Sequence, residues 1–357
     1  MTGTMRALRL HDAPGGSALQ LDSDVPIPTP GPGEVLLEVR ACGINQVDLL
    51  TRDGQTQAAI PLPHISGTEI SGNIVELGSG VTGWAVGDAV VVDPILHCGQ
   101  CEPCKEGCTN MCRTSRVFGV QTQGGYAEYV AAPASQLFRK PDNLSYVEAA
   151  SIAVTAPTAY HMLHRRAGMQ PGEDVLIIAA GSGIGVIGTQ LAKLAGARVI
   201  ATAGSDDKLR QASELGADFT VNHRDADWAA QVRAITGGRG VDLVFEHVGE
   251  ATWHGSLNAM ARGGRLVTCG GHSGFMVDMN LWHLFVKEHT IIGSFAATRD
   301  DFLEVMRLAG AGAIKPLIQE VFPLEQISQA HALMEQRGVF GKLMVDPRLP
   351  AEVDHAC

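Results

Sequence analysis

A dense group of cysteines is the clearest chemical pattern in this sequence. Five of the 8 cysteines fall within 15 residues, and four of them have the spacing C-x2-C-x2-C-x7-C: Cys98, Cys101, Cys104 and Cys112. Four thiolates on one loop can enclose Zn²⁺ in a tetrahedron with Zn–S distances of ~2.3 Å and no open position. The spacing therefore predicts one structural zinc per chain, which orders the loop. Free buried thiols and an iron–sulfur cluster are the alternatives, and the fifth cysteine, Cys108, has no assigned role.

A glycine-rich turn marks a second candidate site. The segment AAGSGIGVIG follows an apolar strand pattern and opens a helical one. Val186 stands where the third glycine of a G-x-G-x-x-G pattern is expected. Small residues let the backbone approach a pyrophosphate, and a helix N-terminus supplies N–H donors to it. The turn is predicted to bind a nucleotide cofactor through Gly181, Ser182, Gly183, Ile184 and Gly185.

The choice of cofactor is made at the end of the next strand, in RVIATAGSDDKL. An NAD site would place a carboxylate there for the ribose 2′-hydroxyl, but this position is Ala203. Ser205 and Lys208 follow and could bind a 2′-phosphate, although Asp206 and Asp207 oppose this and no arginine is adjacent in the sequence. We expect NADPH, with NADH as the less favoured alternative.

The elements that position these sites change character near Tyr146. Before it, short β-branched runs alternate with Gly and Pro turns, which indicates an irregular β-rich domain. After it, VEAASIAVTAPTAYHMLHRRAG has helical spacing interrupted by Pro157, and then strands alternate with helices as in a doubly wound parallel sheet. We predict an α/β protein with a β-rich catalytic domain from residues 1–150 and 299–357, closed by the strand GKLMVDP, and a nucleotide-binding domain from 151–298.

The bulk composition is that of an ordinary globular protein. The chain has 357 residues, 45% of them hydrophobic, and a net charge of −11, which argues against partners such as nucleic acid or an anionic membrane. The N-terminus lacks the apolar core of a secretory signal, and no apolar run is long enough to span a bilayer. A cytoplasmic protein acting on a small-molecule substrate is expected.

Several motifs together resemble the medium-chain dehydrogenase/reductase superfamily. The segment GTEISGNIVELGSGV matches the zinc alcohol dehydrogenase signature Gly-His-Glu-x2-Gly-x5-Gly-x2-Val at every fixed position except Thr68, where the family has a metal-binding histidine. CGINQVDL, the cysteine loop, the glycine-rich turn and FGKLMV extend the similarity over essentially the whole chain. The resemblance implies a GroES-like catalytic domain, a Rossmann domain, and a homodimer or homotetramer.

The resemblance also implies where a second, catalytic zinc would be bound. The three family ligand positions fall on Asn45, Thr68 and Val154. Asn and Thr are poor zinc ligands and Val is none, so the chain is similar here to the zinc-independent quinone and enoyl reductase branch. Unlike most quinone reductases, it keeps the structural-zinc loop.

A different metal site near the same place is an open alternative. His64, Asp48 and Glu69 are close to these positions in sequence and could assemble one. Asp48 and Glu69 also match positions that the family retains for structural reasons. The resemblance implies further cofactor contacts at Thr158, Val248, Cys269, Gly270, Phe295 and Lys342, of which Thr158 and Cys269 could equally be core residues.

Without a Lewis acid, the favoured reaction is hydride addition to an activated C=C bond, because the charge spreads into an enolate that neutral donors can stabilise. The predicted catalytic residues are Asn45, Thr68, Asp48 and Glu69, with the first two as donors. The proton source stays open among water, Asp48, Glu69, Tyr126 and Tyr160. The substrates would be enones, quinones or enoyl thioesters.

Two alternatives of other kinds remain. One is a carbonyl reductase or alcohol dehydrogenase of the same fold, and the other is a cofactor-binding protein that has lost catalysis and serves a structural or regulatory role. Trp282 and Phe285 could face substrate or pack at a subunit contact, and packing is the preferred interpretation. His161, His164 and His247 are interpreted as surface or core residues.

Overall fold

Apolar and β-branched runs form the strands of the computed structural model, which describes residues 3–12, 19–56 and 58–350. The strands are β1 (Thr4–Arg9), β2 (Gln20–Pro26), β3 (Glu34–Gly43), β4 (Glu69–Leu77), β5 (Ala89–Val92), β6 (Ile95–Leu96), β7 (Arg116–Val117), β8 (Tyr129–Pro133), β9 (Leu137–Arg139), β10 (Asp174–Ile177), β11 (Arg198–Ala203), β12 (Phe219–Asn222), β13 (Val241–Glu246), β14 (Met260–Thr268), β15 (Thr290–Gly293), β16 (Ile318–Phe322) and β17 (Lys342–Val345).

Helices connect most of these strands. They are α1 (Gln46–Arg52), α2 (Glu102–Lys105), α3 (Tyr146–Ser151), α4 (Thr155–Tyr160), α5 (Gly183–Leu194), α6 (Asp206–Glu214), α7 (Trp228–Ile235), α8 (Glu250–Ala259), α9 (Leu281–Val286), α10 (Arg299–Gly310) and α11 (Ile327–Glu335). A π-helical turn (His161–Arg166) continues α4, and 3₁₀ turns occur at Thr109–Met111, Ala134–Gln136 and Leu324–Gln326. Within the described ranges, no helix is both long and apolar enough to cross a membrane.

The chain divides into two units. The first contains Met1–Val154, Phe302–Gly312 and Ile318–Cys357, and the second contains Thr155–Asp301 and Ala313–Leu317. We predicted breaks at 150/151 and 298/299, so the structure moves each break by a few residues. It also places the short segment 313–317 with the second unit, which the pattern of strands and helices did not indicate.

The first unit is built on a mostly antiparallel seven-stranded sheet. Its order is β16-β17-β3-β4-β5-β9, and β8 pairs with β3 outside this path. β3 is the centre because its long, nearly continuously buried run pairs with β4 along its length, with β8 at its start and with β17 at its end. The closing strand β17 therefore joins the N-terminal part of the chain, as the motif GKLMV indicated. The core of this unit lies on the sheet, around residues such as Leu37, Ile70 and Tyr126.

The second unit contains a parallel sheet of six strands. Its order is β12-β11-β10-β13-β14-β15, and every neighbouring pair is parallel. Counted within the unit, this is the 3-2-1-4-5-6 order of a Rossmann sheet, whose ligands bind at the carboxyl ends of the strands. The predicted α/β fold class is confirmed.

One local prediction was wrong. The helical segment after Tyr146 is interrupted at residues 152–154, between α3 and α4, and not at Pro157. Pro157 is buried in the first turn of α4, where its missing N–H has no intrahelical partner to lose.

Candidate functional site

The first predicted site lies where β3 ends and β4 begins. These strands are antiparallel, with Gly43 opposite Glu69, so Asn45 and Thr68 come together although 23 residues separate them. The Asn45 amide nitrogen lies 3.2 Å from the Thr68 hydroxyl oxygen. Thr68 is buried, whereas Asn45 is only half-buried. The amide therefore forms the more accessible part of this pair.

Gly67 permits the approach of Thr68 to this position. Its φ of +105° is unfavourable for a residue with a side chain. A Cβ there would also lie 2.8 Å from the sulfur of Cys42 and from the Tyr126 ring. The glycine of the family signature is thus required by both backbone conformation and space.

Lys342, the first residue of β17, holds the other end of the Asn45 amide. Its ammonium nitrogen lies 2.7 Å from Asn45 Oδ1, 2.8 Å from the Ile44 carbonyl oxygen and 2.7 Å from Glu69 Oε2. Lys342 and Glu69 are both buried. The ammonium group therefore donates hydrogen bonds to the Ile44 and Asn45 oxygens and forms an ion pair with Glu69. Lys342 was predicted as a cofactor contact. That role stays a prediction, and the structure places its donors within the first unit.

Glu69 extends the network to the third family ligand position. Its Oε1 accepts a hydrogen bond of 2.9 Å from the Val154 backbone N–H. The three positions at which the family binds catalytic zinc thus belong to one hydrogen-bonded assembly, centred on the Glu69–Lys342 ion pair.

The side chains of this assembly do not fit a zinc ion. Asn45, Thr68 and Val154 offer an amide, a hydroxyl and an alkyl group where zinc prefers thiolate, imidazole or carboxylate. Elsewhere in the described ranges, the cysteine cluster is the one group of three or more His, Cys, Asp or Glu side chains close enough to hold a metal. The alternative site of His64, Asp48 and Glu69 is therefore not assembled, and the His64 Nε2 instead contacts the Gly119 carbonyl oxygen at 3.1 Å.

Asp48 faces the backbone of the turns that carry Asn45 and Thr68. Its carboxylate accepts hydrogen bonds from the backbone N–H of Asn45 (2.8 Å) and of Gly67 (3.2 Å). Burial raises the pKa of Asp48 to about 7, against the lowering effect of these hydrogen bonds and of the Lys342 charge. Tyr126 is fully buried, and burial followed by the Asp48 charge raises its pKa well above the usual range. Both side chains are enclosed. The Asp48 carboxylate holds the turns through its two hydrogen bonds, and its catalytic role, like that of Tyr126 as a proton donor, stays a prediction.

The four predicted zinc-binding cysteines converge. Their sulfurs all lie within 4.8 Å of one another, with separations of 3.4 Å for Cys101–Cys104, 3.8 Å for Cys101–Cys112 and 3.6 Å for Cys98–Cys112. A tetrahedron with Zn–S bonds of ~2.3 Å has edges of about 3.8 Å. The cluster therefore fits a closed structural zinc site.

Backbone donors support this cluster. The Cys98 N–H lies 3.4 Å from the Cys112 sulfur and is the main reason that the pKa of Cys112 falls to about 6. Burial, followed by the hydrogen bond with Cys101, raises the pKa of Cys104 to about 12, so the metal-binding thiolate form is favoured at Cys112 and not at every cysteine of the cluster. Cys108 is exposed and does not belong to the group.

In the second unit, the glycine-rich turn joins β10 to α5. The Ser182 hydroxyl caps the helix by accepting from the Gly185 N–H at 3.0 Å. A Cβ on Gly185 would lie 2.5 Å from the Ala179 carbonyl oxygen, and one on Gly188 would lie 3.3 Å from the Phe245 ring. The pattern is thus Gly183-x-Gly185-x-x-Gly188, and Gly188 supplies the close helix–strand packing. Sequence reasoning missed Gly188 because it began counting at Gly181.

The end of β11 is more basic than the sequence indicated. Ser205 caps α6 through the Lys208 N–H. Arg224, which follows β12, lies with its Nε 2.9 Å from the place a Cβ would occupy on Gly204, and His223 Nε2 lies 3.3 Å from it. Burial and the Arg224 charge lower the pKa of Lys208. A guanidinium group therefore lies beside Gly204, next to the Ala203 position where an NAD site has a carboxylate, and Lys208 is near enough for its charge to interact with Arg224.

The remaining predicted cofactor contacts of this unit follow the carboxyl ends of its strands. Val248 follows β13, with its N–H 2.6 Å from the buried Glu246 carboxylate. Cys269 and Gly270 follow β14, and Phe295 follows β15 and is 51% exposed. Burial and Glu246 raise the pKa of Cys269 to about 12, so it is a neutral thiol. These residues share one edge of the sheet because the strands are parallel, whereas Thr158 lies in α4.

A parallel sheet of this order, with a capped glycine-rich turn at its first strand, is the dinucleotide-binding Rossmann architecture, and nicotinamide-dependent oxidoreductases are a class that uses it. Comparisons with known proteins narrow that class. Residues 31–142 match the alcohol dehydrogenase GroES-like domain, and residues 183–311 match the zinc-binding dehydrogenase domain. The chain belongs to the medium-chain dehydrogenase/reductase superfamily, as a protein of the zinc-type alcohol dehydrogenase-like group.

The individual relatives include both alcohol dehydrogenases and quinone oxidoreductases. The NAD-dependent alcohol dehydrogenase of Sulfolobus acidocaldarius is 36% identical, over 95% of this chain and 98% of that protein. The quinone oxidoreductase of Homo sapiens is 28% identical, over 96% and 97%. A solved NAD-dependent alcohol dehydrogenase is 43% identical with a TM-score of 0.92, covering 96% of this chain and 99% of that one.

Proposed function

We propose that this protein is an NADPH-dependent reductase of C=C bonds conjugated to a carbonyl group. The observation that carries the proposal is the Asn45 amide at a family ligand position, with its oxygen held by Lys342 and its nitrogen facing Thr68. This arrangement offers N–H donors where zinc-dependent relatives have a Lewis acid. Amide donors suit an enolate, whose charge is shared between oxygen and carbon.

NADPH, when held at the glycine-rich turn of Gly183 and Gly185, would supply a hydride for the β-carbon of the substrate. The π electrons of the C=C bond then move to the carbonyl oxygen, and the Asn45 N–H stabilises the resulting enolate. Protonation of the α-carbon completes the reaction. Asp48 accepts two backbone N–H bonds, Glu69 is paired with Lys342 and Tyr126 is fully buried. We therefore prefer solvent water to these three side chains as the proton source, and Tyr160 stays an alternative.

The preference for NADPH rests on charge. Arg224 lies beside Gly204, and the charge of Lys208 interacts with that of Arg224, so a 2′-phosphate bound there would be attracted by both cations. Asp207 does not cancel this charge, because it pairs with Arg210 on the surface of α6. The relatives named NAD-dependent support the opposite preference, so coenzyme choice needs its own measurement.

Those same relatives favour a second candidate, an alcohol dehydrogenase or carbonyl reductase that works without catalytic zinc. Reduction of a simple ketone concentrates negative charge on one oxygen, which a metal stabilises by several kcal/mol. Neutral donors such as Asn45 stabilise it less, so we rank this activity second.

One assay distinguishes the proposed C=C reductase from the alcohol dehydrogenase or carbonyl reductase. NADPH and NADH oxidation are followed with a panel of enones, quinones, simple ketones and aldehydes, before and after dialysis against a mild chelator. The proposal expects turnover of enones or quinones that survives chelation. Turnover of simple ketones alone, or activity that returns only with added divalent metal, would sink it.

A further inference from the structure

The buried Glu69–Lys342 pair does not contain a group that reacts, yet it contacts the proposed donor. We propose that Lys342 is a positioning residue that fixes which way the Asn45 amide points, and thereby makes Asn45 a donor toward the substrate oxygen. The inference rests on the proposed function for its catalytic consequence, but its structural claim can be measured without turnover.

The orientation of the amide follows from chemistry. An ammonium group has donors and no acceptor, so the Asn45 atom 2.7 Å from Lys342 Nζ must be the oxygen. The amide nitrogen then faces Thr68 at 3.2 Å, and the Thr68 oxygen accepts from it. With Lys342 in place, the reversed amide would set its N–H₂ group against the ammonium donors.

The three side chains form a chain of hydrogen bonds in which each group donates to the next one. Lys342 donates to Asn45, and Asn45 donates to Thr68, which leaves the Thr68 hydroxyl hydrogen and the second Asn45 N–H to donate elsewhere. In the part of the chain that the structure describes, the Asn45 amide nitrogen has Thr68 as its one hydrogen-bond partner. Hydrogen bonds in a chain polarise one another, most strongly in a low dielectric. The cation at its start therefore makes these terminal donors stronger.

Glu69 explains how a lysine can be used in this way. A buried ammonium ion without an anion would lose its proton or destabilise the fold. Glu69 supplies the charge at 2.7 Å, and it is itself held by the Val154 N–H. The Ile44 carbonyl and the Asn45 oxygen accept hydrogen bonds from the ammonium group, so three groups surround it.

Without Lys342, no ammonium group opposes the reversed amide. The Asn45 oxygen could then accept from the Thr68 hydroxyl and would turn a lone pair toward the substrate oxygen. An enolate would be repelled where it is now stabilised. We therefore expect Lys342→Met to lower kcat for an enone roughly 100- to 1,000-fold, as for loss of one oxyanion donor, with a smaller change in KM. Lys342→Arg, which keeps charge and donors, should restore part of the loss.

Two double variants test whether Lys342 acts through Asn45. In an Asn45→Ala background, Lys342→Met should change kcat by no more than about 2-fold, because the group that it positions is already gone. Glu69→Gln/Lys342→Met removes both charges together, so it avoids a buried carboxylate without a cation and keeps the test valid if the single variant fails to fold. It should show the same kcat loss as the single variant.

Lys140→Met is the matched control. Lys140 also donates to backbone carbonyls in the same unit, at Pro141 and Leu144, but contacts none of these side chains. It should lower stability without lowering kcat.

If Lys342 instead binds the cofactor, Lys342→Met should weaken NADPH binding in a fluorescence titration and reduce kcat/KM equally with and without Asn45. Either result would overturn the inference.

A second readout does not need activity. In protein labelled with ¹⁵N-asparagine, the Asn45 side-chain resonance is assigned by its loss in Asn45→Ala. We expect it to exchange slowly with water in the wild type, to move and exchange faster in Lys342→Met, and to stay unchanged in Lys140→Met. An unchanged resonance in Lys342→Met would refute the positioning role. Absence of enone and quinone turnover by the wild type would refute the proposed function alone.

Discussion

The Nε atom of Arg224 lies 2.9 Å from the position that a Cβ would occupy on Gly204. These residues follow neighbouring parallel strands, β12 and β11. The glycine therefore leaves room for a guanidinium group beside the point where a cofactor ribose is read in this fold. Burial and the Arg224 charge lower the pKa of Lys208. Lys208 is therefore close enough to Arg224 for the two positive charges to repel each other.

Arg224→Ala should impair use of NADPH but not of NADH. Loss of a charged hydrogen bond to phosphate costs ~1.5–3 kcal/mol, so KM for NADPH should rise roughly 10- to 100-fold. Steady-state kinetics with both coenzymes measure this. Arg210→Ala is the control, because Arg210 is exposed on α6 and pairs with Asp207. Equal effects on both coenzymes would contradict the phosphate site.

The cysteine cluster should hold one zinc that supports the fold and not the reaction. Cys101→Ser should abolish stoichiometric zinc and lower the melting temperature, because loop order depends on the metal. Cys108→Ser should retain the metal, since its thiol lies outside the cluster. Metal analysis by mass spectrometry, together with thermal unfolding, tests both variants. A wild type that binds no zinc, or binds two, would refute this assignment.

His247 should make the fold less stable in acid. Burial lowers its pKa from 6.5 to about 4, and its Nε2 lies 3.0 Å from the Ile178 carbonyl oxygen. Between these pH values the unfolded chain binds a proton that the native protein excludes. The stabilising contribution is therefore present above pH 6.5 and is lost as pH falls toward 4, by roughly 3 kcal/mol.

His247→Gln should flatten this pH dependence, because glutamine keeps an N–H donor and does not titrate. Urea unfolding at several pH values between 4 and 7 provides the measurement. His254→Gln, at an exposed position on α8, serves as the control. Parallel curves for His247→Gln and the wild type would show that His247 is not responsible.

An exposed apolar cluster on α9 should lie in a contact between copies of the chain. Leu281, Trp282 and Phe285 are 66%, 65% and 60% exposed, and the two aromatic rings pack with centroids 5.1 Å apart. Apolar groups of this size that face solvent commonly mark interaction surfaces. Trp282→Asp should shift the protein toward a smaller species in size-exclusion chromatography with light scattering. A wild-type monomer would rule out the proposed homo-oligomer.

Sites whose residues are close together in the chain could be predicted from the sequence alone. The four zinc-binding cysteines lie within one short loop, and the glycine-rich turn is continuous with its strand and helix, so spacing was enough to place them. The alternation of strands and helices likewise fixed the fold class, because each pattern reflects which faces must be buried. The loss of the family ligands at Asn45, Thr68 and Val154 was equally a sequence observation.

Only the tertiary structure decided which distant side chains meet at these sites. Arg224 reaches Gly204 because β12 pairs with β11, and Lys342 reaches Asn45 because β17 pairs with the end of β3. Strand order and register are set by the packing of the whole sheet, so no local pattern could reveal either contact. The direction of the Asn45 amide follows from such a contact, since it is imposed by an ammonium group 297 residues away in the chain.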